Sequence, residues 1–207
     1  MVTISQAPGS RTLRRVQRIQ AITIGWMSVE AGVSLAAAWM AHSPALVAFG
    51  GDSAIELLSA VVVLWRFSAP GENRHAEVRA GRVAGVLLFA LAVYVAVVSA
   101  ATLFGHNEPR PTYAGIAILI AAAGIMPWLA NEKRKLSAAT GSAALRADAA
   151  QSGLCAYFSM IALAGLAVNA IWHVGWADPV AALAITPLIL WEGKEAIRGK
   201  ACGCCQC

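Results

Sequence analysis

Charge is scarce in this chain. Asp, Glu, Lys and Arg make up 13% of 207 residues, while 58% are hydrophobic. That balance leaves no room for a separately folded soluble domain. Runs near 20 apolar residues recur, the length that crosses a bilayer as a helix. No stretch reads as a Gly-rich nucleotide-binding loop, so ATP-driven pumping is not expected. A cleavable signal peptide is not expected either. The start is polar and basic (Arg11, Arg14, Arg15, Arg18), and the first apolar run is too long for a signal core. The net charge of +5 could suggest nucleic acid, but the placement of the cations argues against it.

What is present is a series of six apolar runs, roughly 20–41, 44–66, 80–103, 112–130, 142–170 and 176–193. Polar or helix-breaking residues join them, and Pro127 and Pro187 inside the runs predict kinks that bundle neighbours can absorb. If the runs cross alternately, all Lys and Arg except Arg110 fall on one side. That side takes the N-terminal arm, the second-to-third connection, the fourth-to-fifth connection with Lys133, Arg134 and Lys135, and the C-terminal end. The positive-inside rule then puts both termini in the cytoplasm. The expectation is an all-α, multi-pass protein of the inner or plasma membrane with six transmembrane helices. Residues 1–18 read as a loose basic arm, 19–195 as the membrane domain, and 196–207 as a Cys-rich cytoplasmic tail.

Asp52 and Glu56 lie one helical turn apart in the second run, on one helix face. Ionisable groups in lipid are costly and are functional candidates by default. Residues 43–56 (SPALVAFGGDSAIE) also match residues 142–155 (SAALRADAAQSGLC) at a constant offset, pairing Ser43 with Ser142, Leu46 with Leu145, and Ser53 with Ser152. The second and fifth spans run in opposite directions, so this predicts an inverted 3+3 repeat with a site near the midplane. The offset sets Gln151 opposite Asp52 and Cys155 opposite Glu56. Two antiparallel helices, each offering an i, i+4 pair, converge four ligands: Asp52, Glu56, Gln151 and Cys155.

Four ligands suit a tetrahedral metal, and carboxylates with a thiolate suit zinc, the thiolate also favouring softer ions such as cadmium or copper(I). Gln151 is the weak member, and Asp148, on the same face, could replace it or act one layer out. Taken alone, Cys155 is more often a small buried hydrophobe than a ligand, and Gln151 more often an interhelical hydrogen-bond partner. Metal binding needs the carboxylates and thiol deprotonated, so metal and protons compete for one site. A site open alternately to each side turns that competition into antiport.

These stretches resemble the transmembrane domain of the cation diffusion facilitator family, without its C-terminal cytoplasmic domain. The resemblance rests on Gly51-Asp52-Ser53-Ala54-Ile55-Glu56, on Ala147 to Cys155, and on Trp176-Ala177-Asp178-Pro179. It implies export of a divalent metal from the cytoplasm against protons, usually as a homodimer. The family's usual His and Asp of the fifth span are here Gln151 and Cys155. The metal is the transported substrate, zinc or cadmium being favoured, and no permanently bound cofactor is expected. The partners are then the metal cation, protons, the lipid bilayer and a second copy, and the chain is not an enzyme. Two other readings stand beside this one: a non-transporting membrane metal sensor, and a membrane thiol–disulfide oxidoreductase.

Outside the main cluster, Glu30 is a candidate for the proton path. Cys202, Cys204, Cys205 and Cys207 form a tail that could capture a thiophilic metal, with palmitoylation or an unstructured tail as the other readings. His42, His106 and His173 all fall on the outer side, as interfacial rings or as a low-affinity exit site. Asp178, before Pro179, reads as a helix cap.

Overall fold

The computed structural model describes residues 10–68, 74–105, 109–110 and 112–198. Among these the secondary structure is helical: α1 Ser10–Ala41, α2 Pro44–Ser68, α3 Arg74–Leu103, α4 Tyr113–Thr140, α5 Ala143–Trp172 and α6 Ala177–Arg198. Five of the six, α1 to α5, are long and apolar enough to cross a membrane. The sixth, α6, has 22 residues, about 33 Å of helix at 1.5 Å per residue, but carries more charge.

Local chemistry sets the helix ends. Ser43 precedes Pro44, and its Oγ accepts from the Leu46 amide at 3.1 Å, which caps α2. Thr112 caps α4 through Gly115, and Ser142 caps α5 through Leu145. Gly141 closes α4 in the left-handed region at φ 64°, where glycine has no steric cost.

Two boundaries differ from the sequence reading. Residues 10–18 are helical rather than a loose arm, because Val16 and Ile19 pack with Val63, Leu136 and Leu145. Likewise α4 does not stop near residue 130. Asn131 to Lys135 contain no helix breaker, so the helix runs on to Thr140.

Each of α1, α3 and α4 has a main partner: α1 packs on α2, α3 on α6 and α4 on α5. At the centre, α2 also touches α3, α5 and α6. Close approach at the α1–α2 crossing depends on Gly50, where an added Cβ would lie 2.9 Å from the Ser34 Cβ. Gly85 serves α3 and α6 similarly, since its Cβ would meet the Gly193 carbonyl at 2.7 Å. The core between the helices is apolar, led by Leu46, Phe49, Met126, Leu129, Phe158 and Ile185. The polar exceptions inside it define the site.

Candidate metal centre

The α2–α5 crossing brings Asp52, Glu56 and Cys155 together. One ligand atom from each lies within 4.8 Å of the others, and all three side chains are buried. Asp52 and Glu56 share a face of α2 because i and i+4 superpose on a helix, and Cys155 faces them from α5. Two carboxylates and a thiol at this separation could hold a metal ion through oxygen and sulfur donors.

Glu30 joins from α1. Its Oε1 accepts from the Cys155 thiol at 3.3 Å and lies 2.6 Å from the Ser53 Oγ. The Ser53 hydroxyl also lies 2.9 Å from the Phe49 carbonyl, and its single proton serves one acceptor at a time. Ser152, which the repeat alignment pairs with Ser53, likewise reaches the helix preceding its own. It donates to Glu56 Oε1 at 2.6 Å and accepts from Lys133 Nζ on α4 at 2.7 Å. Lys133 is fully buried and forms an ion pair with Asp148 Oδ2 at 3.0 Å, with Glu56 Oε1 at 3.8 Å.

Asp148 is thus held by Lys133, and Gln20 on α1 donates to the same Oδ2 at 2.6 Å. Gln151 is hydrogen-bonded to Glu192 of α6, and Glu192 lies close enough to act electrostatically on Asp52. The fourth side chain named from the sequence is therefore engaged with a further acid.

Sequence reasoning missed two residues here. Lys133 was assigned to a cytoplasmic connection among solvated charges. It is buried because it continues the inward stripe Ala122, Met126, Leu129, Ala130, Lys133, Leu136 and Ser137 at helical spacing. Glu192 was passed over, yet it follows Ile185 and Ile189 on the buried face of α6. That 3–4 spacing is a signal that could have found both.

The charges do not balance. Glu30, Asp52, Glu56, Asp148 and Glu192 are buried around this point, and Lys133 is the one buried cation among the described residues. Several carboxylate oxygens, Glu30 Oε2, Glu56 Oε2 and Asp148 Oδ1 among them, are buried without a hydrogen-bond partner. Uncompensated buried charge costs several kcal/mol per ion, so this cluster requires added cations or protons.

Other expectations resolve differently. Asp178 does act at a helix start, but at that of α2 rather than its own. It accepts from Ser43 Oγ and from the Ala45 amide at 3.1 Å. His42 and His173 line one cavity of about 610 Å³ with Arg110, Asn169 and Trp176, at the end of the bundle where α1, α3 and α5 finish. His106 and the tail cysteines Cys202, Cys204, Cys205 and Cys207 lie outside the described residues.

Comparison with known proteins agrees with this architecture. Residues 22–199 match the cation efflux transmembrane domain. A protein of Synechocystis sp. named as an uncharacterized transporter is 26% identical over 196 residues, covering 90% of this chain. The chain spans 63% of that relative's length. The family domain takes in α2 to α6 and most of α1, with every residue of the buried cluster from Glu30 to Glu192 inside it. On that match the chain belongs to the cation efflux family, whose members are multi-pass membrane transporters of cations.

Proposed function

We propose that this chain exports a divalent heavy-metal cation, zinc or cadmium, from the cytoplasm in exchange for protons. The observation that carries the reading is the convergence of Asp52, Glu56 and Cys155 within 4.8 Å in a buried, acid-rich interior. In this reading those three residues hold the metal, and Gln151 swings from Glu192 to complete a four-ligand shell. Asp148 stays with Lys133 one layer out, and Glu30 passes protons to and from Cys155.

The chemistry of exchange follows from the charge imbalance. The cluster is tenable loaded with a dication or loaded with protons, but not empty and fully ionised. Metal entry displaces protons from Asp52, Glu56 and Cys155, and proton entry from the other side displaces the metal. Alternating access then converts one site into an antiporter. The topology belonging to this scheme has α6 as a sixth crossing, an inverted 3+3 arrangement, both termini in the cytoplasm of a plasma-membrane protein, and a homodimer. The pairing of α1 with α2 and of α4 with α5 supports the repeat. The tail cysteines would deliver metal to the inner entrance.

The test is flux in proteoliposomes containing the purified chain and a metal-sensitive dye. An imposed pH gradient should drive zinc or cadmium movement, and Asp52→Ala should abolish it. Full transport by Asp52→Ala sinks the site assignment. Saturable binding without flux would instead favour a sensor.

A further inference from the structure

Lys133 has a position that metal coordination alone does not require. Its ammonium is sealed from solvent and stands between two acids on unequal terms. Asp148 holds it directly at 3.0 Å, and Gln20 fixes the same Asp148 oxygen at 2.6 Å. Glu56 lies at 3.8 Å, within ion-pair range but beyond hydrogen-bonding reach, and its hydrogen-bonded link to Lys133 runs through the Ser152 hydroxyl. The second oxygen of Glu56 is buried with no partner. The arrangement anchors Lys133 on one acid and leaves the other available.

We infer that Lys133 is a tethered counter-ion of the metal site, offsetting Glu56 while the site is empty and yielding it when the dication arrives. This rests on the metal-site reading above and names the residue that sets how tightly the site holds its cargo. The positioned charge does two things. It engages Asp148 at Oδ2, where both donors draw that oxygen toward α1 and α4. It also opposes the dication across a short, poorly screened distance, which weakens binding and speeds release. A transporter needs that compromise, since a cargo held too tightly is not delivered. Opposite Lys133 in the network, the matched serine Ser53 meets Glu30, an acid. The two serine relays therefore carry opposite charges to the same cluster.

The experiment uses the full chain with Cys202, Cys204, Cys205 and Cys207 changed to serine, so that zinc reports on the buried site. Zinc affinity is measured by competition with a chromophoric chelator, and zinc flux in proteoliposomes. Lys133→Met should bind zinc about tenfold or more tightly. Its half-saturating zinc concentration should fall while its maximal flux also falls. Lys133→Arg should keep both near wild type. A Lys133 that only braces α4 against α5 would lower yield and thermal stability and leave the affinity unchanged. If Lys133→Met does not fold, Lys133→Met/Asp148→Asn removes both charges of the pair, and it should still bind zinc several-fold more tightly. Unchanged or weaker zinc binding in the folded variant overturns the inference. Separately, zinc binding that Asp52→Ala leaves intact would overturn the metal-site reading beneath it.

Discussion

The Lys133–Asp148 pair makes a quantitative prediction independent of transport. Asp148→Asn removes one partner of a fully buried ion pair, keeps the side-chain volume, and strands the ammonium 3.8 Å from Glu56. Breaking such a pair from one side costs about 3–5 kcal/mol, because the remaining charge stays buried and uncompensated. Glu56 recovers part of this through Ser152, which places the expectation at the lower end, about 3 kcal/mol. For a chain of this size that is a fall of roughly 6–12 °C in Tm. Glu56→Gln should cost less, since Lys133 retains its direct 3.0 Å contact with Asp148. Replacing both partners, as Lys133→Met/Asp148→Asn, should recover part of the loss, because neither member of the pair is then left buried without the other. Thermal unfolding of the purified chain in detergent, followed by circular dichroism, measures all three variants against the wild type. Equal Tm values for Asp148→Asn and Glu56→Gln, or a double variant no better than Asp148→Asn, would refute the assignment of the buried pair.

Three further outcomes follow. Cys155→Asp replaces a soft ligand with a hard one, so cells expressing it should lose tolerance to cadmium relative to harder ions such as manganese; an unchanged metal panel counts against a sulfur ligand. Binding that displaces protons must strengthen with alkalinity, so the apparent zinc Kd should fall as pH rises, by about tenfold per unit for each proton released; a Kd independent of pH would mean that the ligands bind no protons. Asp178→Ala leaves Ser43 Oγ and the Ala45 amide without their buried acceptor, and should cost about 1–3 kcal/mol in thermal unfolding with zinc affinity little changed.

Much of this was legible in the sequence because it is local. Asp52 and Glu56 are read as one face from their spacing alone, and apolar length gives the helices. Cys155 came into view through a constant offset between two segments. What escaped was nonlocal or disguised by context. Lys133 stands in Asn131-Glu132-Lys133-Arg134-Lys135, a run that reads as a solvated connection. Only the helical register from Met126 onward turns Lys133 inward, while Glu132 turns out to meet Arg15 and Lys135 at 2.7 Å. Asp178 was read as a local cap because its partners, Ser43 and Ala45, lie more than 130 residues away. A separation of 128 residues likewise hid the Gln20–Asp148 bond.

The ligand set itself is best tested by X-ray absorption at the zinc edge, on the full chain with its four tail cysteines changed to serine. The account predicts a mixed shell, with one sulfur at about 2.3 Å and the rest oxygen at about 2.0–2.2 Å, and loss of the sulfur in Cys155→Ser. A shell without sulfur, or a sulfur that persists in Cys155→Ser, would contradict it.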